Sequence, residues 1–198
     1  MKFTKLISYI LHPIVVPIIG TILYFILIPR HINKQWEMMV IGAVFVCTYL
    51  LPLLFLSLLK KSNAINSFHL VSPRERKFPV LFFVSISLLM ASLIKKGSST
   101  YELALFFYGM TIALFITYFL LYRNFKASLH MIGIGGMIGF FITLSINYQI
   151  NILLLLSILF VMSGIIANSR LSLKAHSKTE ILIGFFIGIC CQFATFLL

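Results

Sequence analysis

Long apolar runs separated by short polar connections fill almost the whole chain. The runs cover residues 7–28, 39–59, 79–94, 103–122, 129–146, 151–167 and 181–198. A helix rises about 1.5 Å per residue and the hydrocarbon core of a bilayer is about 30 Å thick, so runs of this length are typical of membrane-spanning helices. They lack the polar and apolar alternation of a membrane barrel. The pattern predicts an all-α integral membrane protein.

The seven runs predict a bundle of six or seven transmembrane helices. The run at 79–94 is the weakest, with 16 residues. Lys95 and Lys96 would complete this span if their ammonium groups extend to the interface, and otherwise six spans remain. All connections are short except residues 60–78, which leaves no room for a separate soluble domain. We therefore expect a single membrane domain over residues 1–198.

The first run follows Lys2 and Lys5, as the apolar part of a signal peptide would. It is longer than that part usually is, and no small-residue cleavage site follows it. We predict a retained first helix, kinked by Pro13 and Pro17, and no cleaved signal peptide. The expected location is a bacterial cytoplasmic membrane, crossed several times.

Composition agrees with this class. Hydrophobic residues make up 61% of the chain and charged residues 10%, whereas about a quarter of a soluble domain is charged. The net charge is +12, but the basic residues lie at the ends of the apolar runs and form no stripe with interleaved aromatic residues. Nucleic acid is therefore not an expected partner. The three cysteines lie in apolar runs without the spacing of metal ligands.

The basic residues concentrate on one side of the membrane. With seven spans, the N-terminus and the loops at 60–78, 123–128 and 168–180 share a side, which holds 12 of the 16 Lys and Arg residues. The positive-inside rule explains such a bias without any function and places this side in the cytoplasm.

Histidines and a carboxylate accompany the basic residues in these loops. His69, His130 and His176 lie in them or at their edges, and so does Glu180, one of only four acidic residues. Phosphoryl transfer to water needs this combination: cations to neutralise the phosphate oxygens, a nucleophile to attack phosphorus, and an acid to protonate the leaving oxygen.

Two polar segments carry a recognisable spacing. SRLSLKAHSKTE places Ser169 and Arg170 before His176, with Glu180 four residues later. This segment resembles the third signature of the type-2 phosphatidic acid phosphatase superfamily. KASLHMIGIGG is similar to the second signature of that family through Ser128 and His130, with Ala127 and Leu129 in place of Pro and Gly. SPRERKFP is the poorest match, to the first signature, and offers Arg74, Arg76 and Lys77.

The resemblance implies a two-step phosphatase that uses neither a metal nor a cofactor. His176 would attack phosphorus, Glu180 would orient and stabilise its imidazole, and His130 would protonate the departing oxygen. The phosphate-binding residues that it implies are Arg170, Arg76, Lys77, Arg74, Lys126, Ser128 and Ser169. Members of this family usually act on the outer face of the membrane, whereas the basic loops predict that this site faces the cytoplasm.

Structural roles compete with these assignments. Ser177 and Glu180 have the spacing of a helix capping box, which makes capping and catalysis equal alternatives for Glu180. His12 and His69 match no signature, and we interpret them as structural. The glycines of GIGGMIG, with Gly184 and Gly188, predict a small-residue face for close helix packing.

The polar groups lie at the ends of spans, at the depth of lipid headgroups. The predicted substrate is therefore a lipid phosphate or pyrophosphate. The predicted partner of the protein is the lipid bilayer itself. One alternative is a non-catalytic relative that serves as a membrane scaffold. Another is a small transporter, which would be expected to place ionisable groups near mid-span, where His12 is the sole candidate.

Overall fold

Seven helices between Val16 and Phe196 make up the fold. The computed structural model describes residues 4, 7–8, 10–65 and 72–197, so Lys2, Lys5 and His69 lie outside the described residues. The helices are α1 (Val16–Leu27), α2 (Lys34–Lys61), α3 (Pro73–Lys95), α4 (Tyr101–Tyr122), α5 (Leu129–Tyr148), α6 (Leu153–Ser172) and α7 (Lys178–Phe196). All except α1 are long and apolar enough to cross a bilayer. The prediction of an all-α, multi-pass integral membrane protein is confirmed.

The run that looked weakest in the sequence forms a full-length helix. α3 extends over 23 residues because it begins before the apolar run, with Pro73 in its first turn. Ser72 caps it by accepting a hydrogen bond from the Glu75 amide at 3.2 Å. The first turns of α3 therefore carry the basic residues of SPRERKFP, which the sequence pattern had assigned to a loop.

The first apolar run is interrupted near Pro13, one of the two prolines predicted to kink it. The described residues before Pro13 are helical, with the Leu11 amide donating to the Ile7 carbonyl at 2.9 Å, and α1 then extends over 12 residues, about 18 Å of helix. Its two ends nevertheless contact opposite ends of the bundle. The His12 ring lies 5.5 Å from that of His130, and Arg30 lies 3.4 Å from Glu102. The first run thus connects both faces of the bundle despite its short regular helix.

Glu102 joins three helices at the face opposite His130. Its carboxylate accepts hydrogen bonds from the Tyr148 hydroxyl at 2.5 Å and from the Tyr24 hydroxyl at 3.3 Å, besides its ion pair with Arg30. The Arg30 guanidinium also lies 5.0 Å from the centre of the Tyr148 ring. These contacts hold α1 and α5 against the start of α4.

Glycines allow α5 and α7 to pack with their backbones in direct contact. A Cβ atom at Gly188 would collide with the Ile132 carbonyl oxygen, and one at Gly135 would collide with that of Phe185. At Gly184, an added Cβ would lie 2.9 Å from the carbonyl oxygen of Ser128. The predicted small-residue face is therefore confirmed, and it positions the beginning of α7 against the beginning of α5.

Replacing Gly188 by Ala tests this packing. We expect Gly188→Ala to lower the free energy of unfolding by about 1–3 kcal/mol, because the methyl group must displace the α5 backbone. Gly164 in α6 is the matched control, since a Cβ there meets nothing within 4 Å. Gly164→Ala should cause no loss and should even stabilise the helix slightly. Thermal unfolding in detergent measures both variants, and equal midpoints would contradict the close-packing interpretation.

Candidate active site

Five helix ends meet at one face of the bundle. α3, α5 and α7 begin there and α4 and α6 end there, and the short connections at 123–128 and 173–177 are in contact through Lys126 and His176. The Ser128 amide, just before α5, donates a hydrogen bond to the Glu180 carbonyl in the first turn of α7 at 3.1 Å. The segments with the two better-matching signatures are therefore in direct backbone contact.

The imidazole of His176 is held by two oxygen acceptors. Its Nδ1 atom lies 3.0 Å from the Lys126 carbonyl oxygen and 3.3 Å from Glu180 Oε2. Both partners only accept hydrogen bonds, so Nδ1 carries the proton of the neutral ring. Nε2 is then the unprotonated nitrogen, and its lone pair is available for attack on an electrophile.

The environment keeps His176 neutral. Burial, followed by the charges of Arg76 and Arg170, lowers the pKa of His176 to about 4, although Glu180 acts in the opposite direction. The ordinary value is about 6.5, so the ring is uncharged at pH 7. A buried histidine next to a carboxylate is often protonated, but here burial and the two arginines prevent it. Neutrality is what a nitrogen nucleophile requires.

Glu180 caps α7 and also contacts the imidazole of His176. Its Oε2 atom accepts from the Ser177 amide at 2.9 Å, and the Glu180 amide donates to Ser177 Oγ at 3.2 Å, which completes a capping box at the start of α7. The same Oε2 atom is the partner of His176. The cap fixes the carboxylate in place, and the fixed carboxylate orients the imidazole.

Two arginines add positive charge beside His176. Arg76 from α3 is only 8% exposed, and it lies close enough to Arg170 from α6 and to Glu180 for their charges to interact. The Lys126 ammonium also acts on His176. Three cations therefore accompany one carboxylate in a poorly solvated space. Because like charges repel strongly at low dielectric, this arrangement favours binding of an anion.

Several polar groups at this position lack partners among the described residues. Arg170 Nη1 donates to Ser8 Oγ at 3.1 Å, but its buried Nε has no acceptor. Ser128 is fully buried and its hydroxyl makes no hydrogen bond. The first turn of α5 receives no side-chain cap from Ser128 either, so its amides remain available as donors. An anion with several oxygens would satisfy these groups together.

His130 lies at the first turn of α5 and belongs to the same cluster. Arg170 lies close enough for its charge to act on His130. Its Nε2 atom lies 3.3 Å from the Ser8 carbonyl oxygen, and its ring meets that of His12 edge to face. Ser8 therefore positions both His130 and Arg170.

Two of the residues predicted to bind phosphate, Lys77 and Arg74, show no contact with this cluster, whereas a third, Ser169, is linked to it through Ser8. The Lys77 ammonium lies 3.7 Å from the centre of the Tyr122 ring, on α4. Arg74 is exposed. The Ser169 hydroxyl donates to the Thr4 carbonyl at 2.8 Å and lies 3.0 Å from Ser8 Oγ. The structure brings the other predicted residues together: His176, His130, Glu180, Arg170, Arg76, Lys126 and Ser128.

Sequence reasoning missed two residues that support the cluster. His12 was interpreted as structural, yet it was the only ionisable residue near the interior of an apolar run, and that isolation was a usable signal. Ser8 gave no signal, because serine is common in membrane helices and its contacts to His130 and Arg170 span more than 120 positions of sequence.

Comparison of the chain with known proteins finds no matching family model, no similar curated protein and no similar solved structure. The chemistry of the site therefore has to be inferred from its own residues.

The unpartnered donors predict that the cluster binds a tetrahedral oxyanion. Inorganic phosphate or vanadate should raise the thermal midpoint of the purified protein, because a ligand that binds the folded state alone stabilises it. Arg170→Lys keeps the positive charge but removes the planar guanidinium, which can donate two parallel hydrogen bonds to an oxyanion. This variant should therefore lose most of the rise in thermal midpoint. Arg30→Lys, at the opposite face, is the matched control and should retain it. A wild-type midpoint that does not respond to either anion would contradict the anion site.

Proposed function

We propose that this protein is a membrane-embedded phosphatase that hydrolyses a lipid phosphate or diphosphate through a phosphohistidine at His176. The observation that carries the proposal is the state of this imidazole. Its Nδ1 proton is directed to Lys126 O and Glu180 Oε2, which leaves a neutral ring with an unprotonated Nε2 beside Arg76 and Arg170. An attacking nitrogen next to cations is the arrangement that phosphoryl transfer uses.

In the first step, Nε2 of His176 attacks phosphorus and the bond between phosphorus and the leaving oxygen breaks. Arg170 and Arg76 stabilise the charge on the phosphoryl oxygens, Arg170 through its unpartnered Nε. The imidazole becomes a phosphorylated cation, and the Glu180 carboxylate stabilises that charge from the Nδ1 side. The leaving oxygen takes a proton from His130.

In the second step, water attacks phosphorus and the bond to Nε2 breaks. His130, now neutral, accepts a proton from the water, and inorganic phosphate leaves. Both steps return His130 and His176 to their starting states. In the first step His130 must be protonated, and the negative charge of the bound substrate favours that form. The contact between His130 Nε2 and Ser8 O then has to yield to the substrate.

The position of the cluster supports a lipid substrate. Its residues occupy the ends of α5 and α6 and the connection before α7, at the depth of the headgroups, while the spans below are apolar. A lipid can reach such a site with its phosphate while its chains stay in the bilayer. The resemblance to type-2 phosphatidic acid phosphatases, which rests on Ser128, His130, Arg170, His176 and Glu180, supports the same substrate class.

Phosphate release by the purified protein tests the proposal. The assay uses phosphatidate, phosphatidylglycerol phosphate and a polyprenyl diphosphate, and we expect release from at least one of them. His176→Ala should abolish this turnover, since no phosphoenzyme forms without Nε2. His31→Ala, an exposed histidine at the opposite face, should leave the rate unchanged. Release that persists in His176→Ala would exclude the phosphohistidine, and no release by the wild type would favour the scaffold alternative.

A second pair of variants separates the two tasks of Glu180. Glu180→Gln preserves the capping box, because glutamine also accepts from the Ser177 amide, but it removes the charge beside His176. We expect kcat to fall by about 10² or more with little change in thermal midpoint. Ser177→Ala should do the reverse, with a loss of about 1 kcal/mol in stability and nearly unchanged kcat. A Glu180→Gln variant with full activity would reduce Glu180 to a helix cap.

A further inference from the structure

An apolar cavity begins at the histidine pair and extends along the bundle away from the cluster. It lies between α1, α5 and α6 and has a volume of about 190 Å³. Among the described residues that line it, His12 and His130 alone are polar. His130 also belongs to the candidate active site, so the cavity and the cluster share a wall.

We propose that this cavity holds one hydrocarbon chain of the substrate, with its phosphate beyond His130 among the buried cations. The assignment rests on the proposed function. It adds that the lipid inserts a chain into the protein, between α1, α5 and α6, instead of leaving all its chains in the bilayer.

The lining residues form a continuous apolar path. On α5, Ile134 and Met137 follow His130 at the i+4 and i+7 positions, which lie on one helix face. On α6, the lining continues from Ile166 to Leu155, which is 11 residues, or about 16 Å along the helix. This length is about half of a hydrocarbon core of about 30 Å, and it matches the depth that a chain reaches within one leaflet.

The size and opening of the cavity suit a single chain. A drug-sized ligand occupies about 300–1,000 Å³, so a space of about 190 Å³ accepts a narrow hydrocarbon chain but no bulky group. Ile158, which lines the cavity, is 48% exposed on the outer surface of α6. The cavity therefore opens towards the bilayer, and a lipid chain can enter it sideways without leaving the membrane.

Photolabelling tests the position of the chain without requiring turnover. The probe is a long-chain alkyl phosphate with a diazirine at the middle of the chain, mixed with the full-length protein in lipid nanodiscs. We expect mass spectrometry to find the label on Ile134, Met137 or Leu155. A matched long-chain alcohol should label these residues much less, because it lacks the phosphate that the cluster binds. Label confined to outward residues such as Leu154 and Val161, or equal labelling by the alcohol, would overturn the proposal.

A filled cavity provides the functional test. Met162→Trp places a bulky ring in the cavity, whereas Val161→Trp adds the same ring at a neighbouring position of α6 that is 64% exposed. Met162→Trp should lower kcat/KM for a long-chain lipid phosphate by about tenfold, the loss expected when about two methylene groups no longer bind. Turnover of a water-soluble aryl phosphate should be unchanged, as should both activities of Val161→Trp.

These results separate the two proposals. If labelling maps to the cavity but the wild type releases no phosphate from any lipid, the chain site stands and the phosphatase proposal fails. If lipid phosphates are hydrolysed but Met162→Trp and Val161→Trp act alike on both substrates, the phosphatase proposal stands and the chain site fails.

Discussion

The backbone contact between α5 and α7 is the constraint on which the site depends. Gly135, Gly184 and Gly188 remove the side chains that would otherwise hold the two helices apart. At this separation the Ser128 amide reaches the Glu180 carbonyl, and the Lys126 carbonyl reaches the imidazole of His176. Two backbone groups from one connection thus fix the beginning of α7. Larger residues at the glycines would move the carboxylate and the imidazole away from the start of α5.

This contact also explains why a single carboxylate is sufficient at the site. Glu180 is fixed by the capping box, so its Oε2 atom needs no further residue to orient it. A carboxylate that is already positioned loses little side-chain entropy when it accepts from His176. The Lys126 carbonyl provides a second acceptor at Nδ1 without adding negative charge. Glu180 and the Lys126 carbonyl therefore orient the imidazole together, while Glu180 also offsets part of the positive charge of Arg76.

The sequence predicted the spans well because the bilayer sets their length, and it predicted the α5 and α7 glycines because close packing requires small residues. It also predicted which polar residues at the site face lie together, from Ser128 to Glu180, since the connections are short and alternate between the faces. It did not predict that the Lys77 ammonium lies over the Tyr122 ring or that Arg74 is exposed, because both residues lie in the first turns of a helix where a loop was predicted. The role of Ser8 depends on how the first run packs against α5 and α6, which local patterns do not encode.

Within the described part of the chain, the cluster places Arg76, Arg170 and Lys126 around the carboxylate of Glu180. Arg76 and Arg170 are brought together in a space with little water, and folding has to supply the free energy to hold them there. Such an arrangement is costly as a structural device, because apolar residues of the same volume would stabilise a membrane bundle better. It becomes favourable when an anion binds, since the repulsion between the cations is then replaced by attraction. Together with burial, the same charges keep His176 neutral before the anion arrives. The cations that favour anion binding therefore also help to keep this imidazole uncharged.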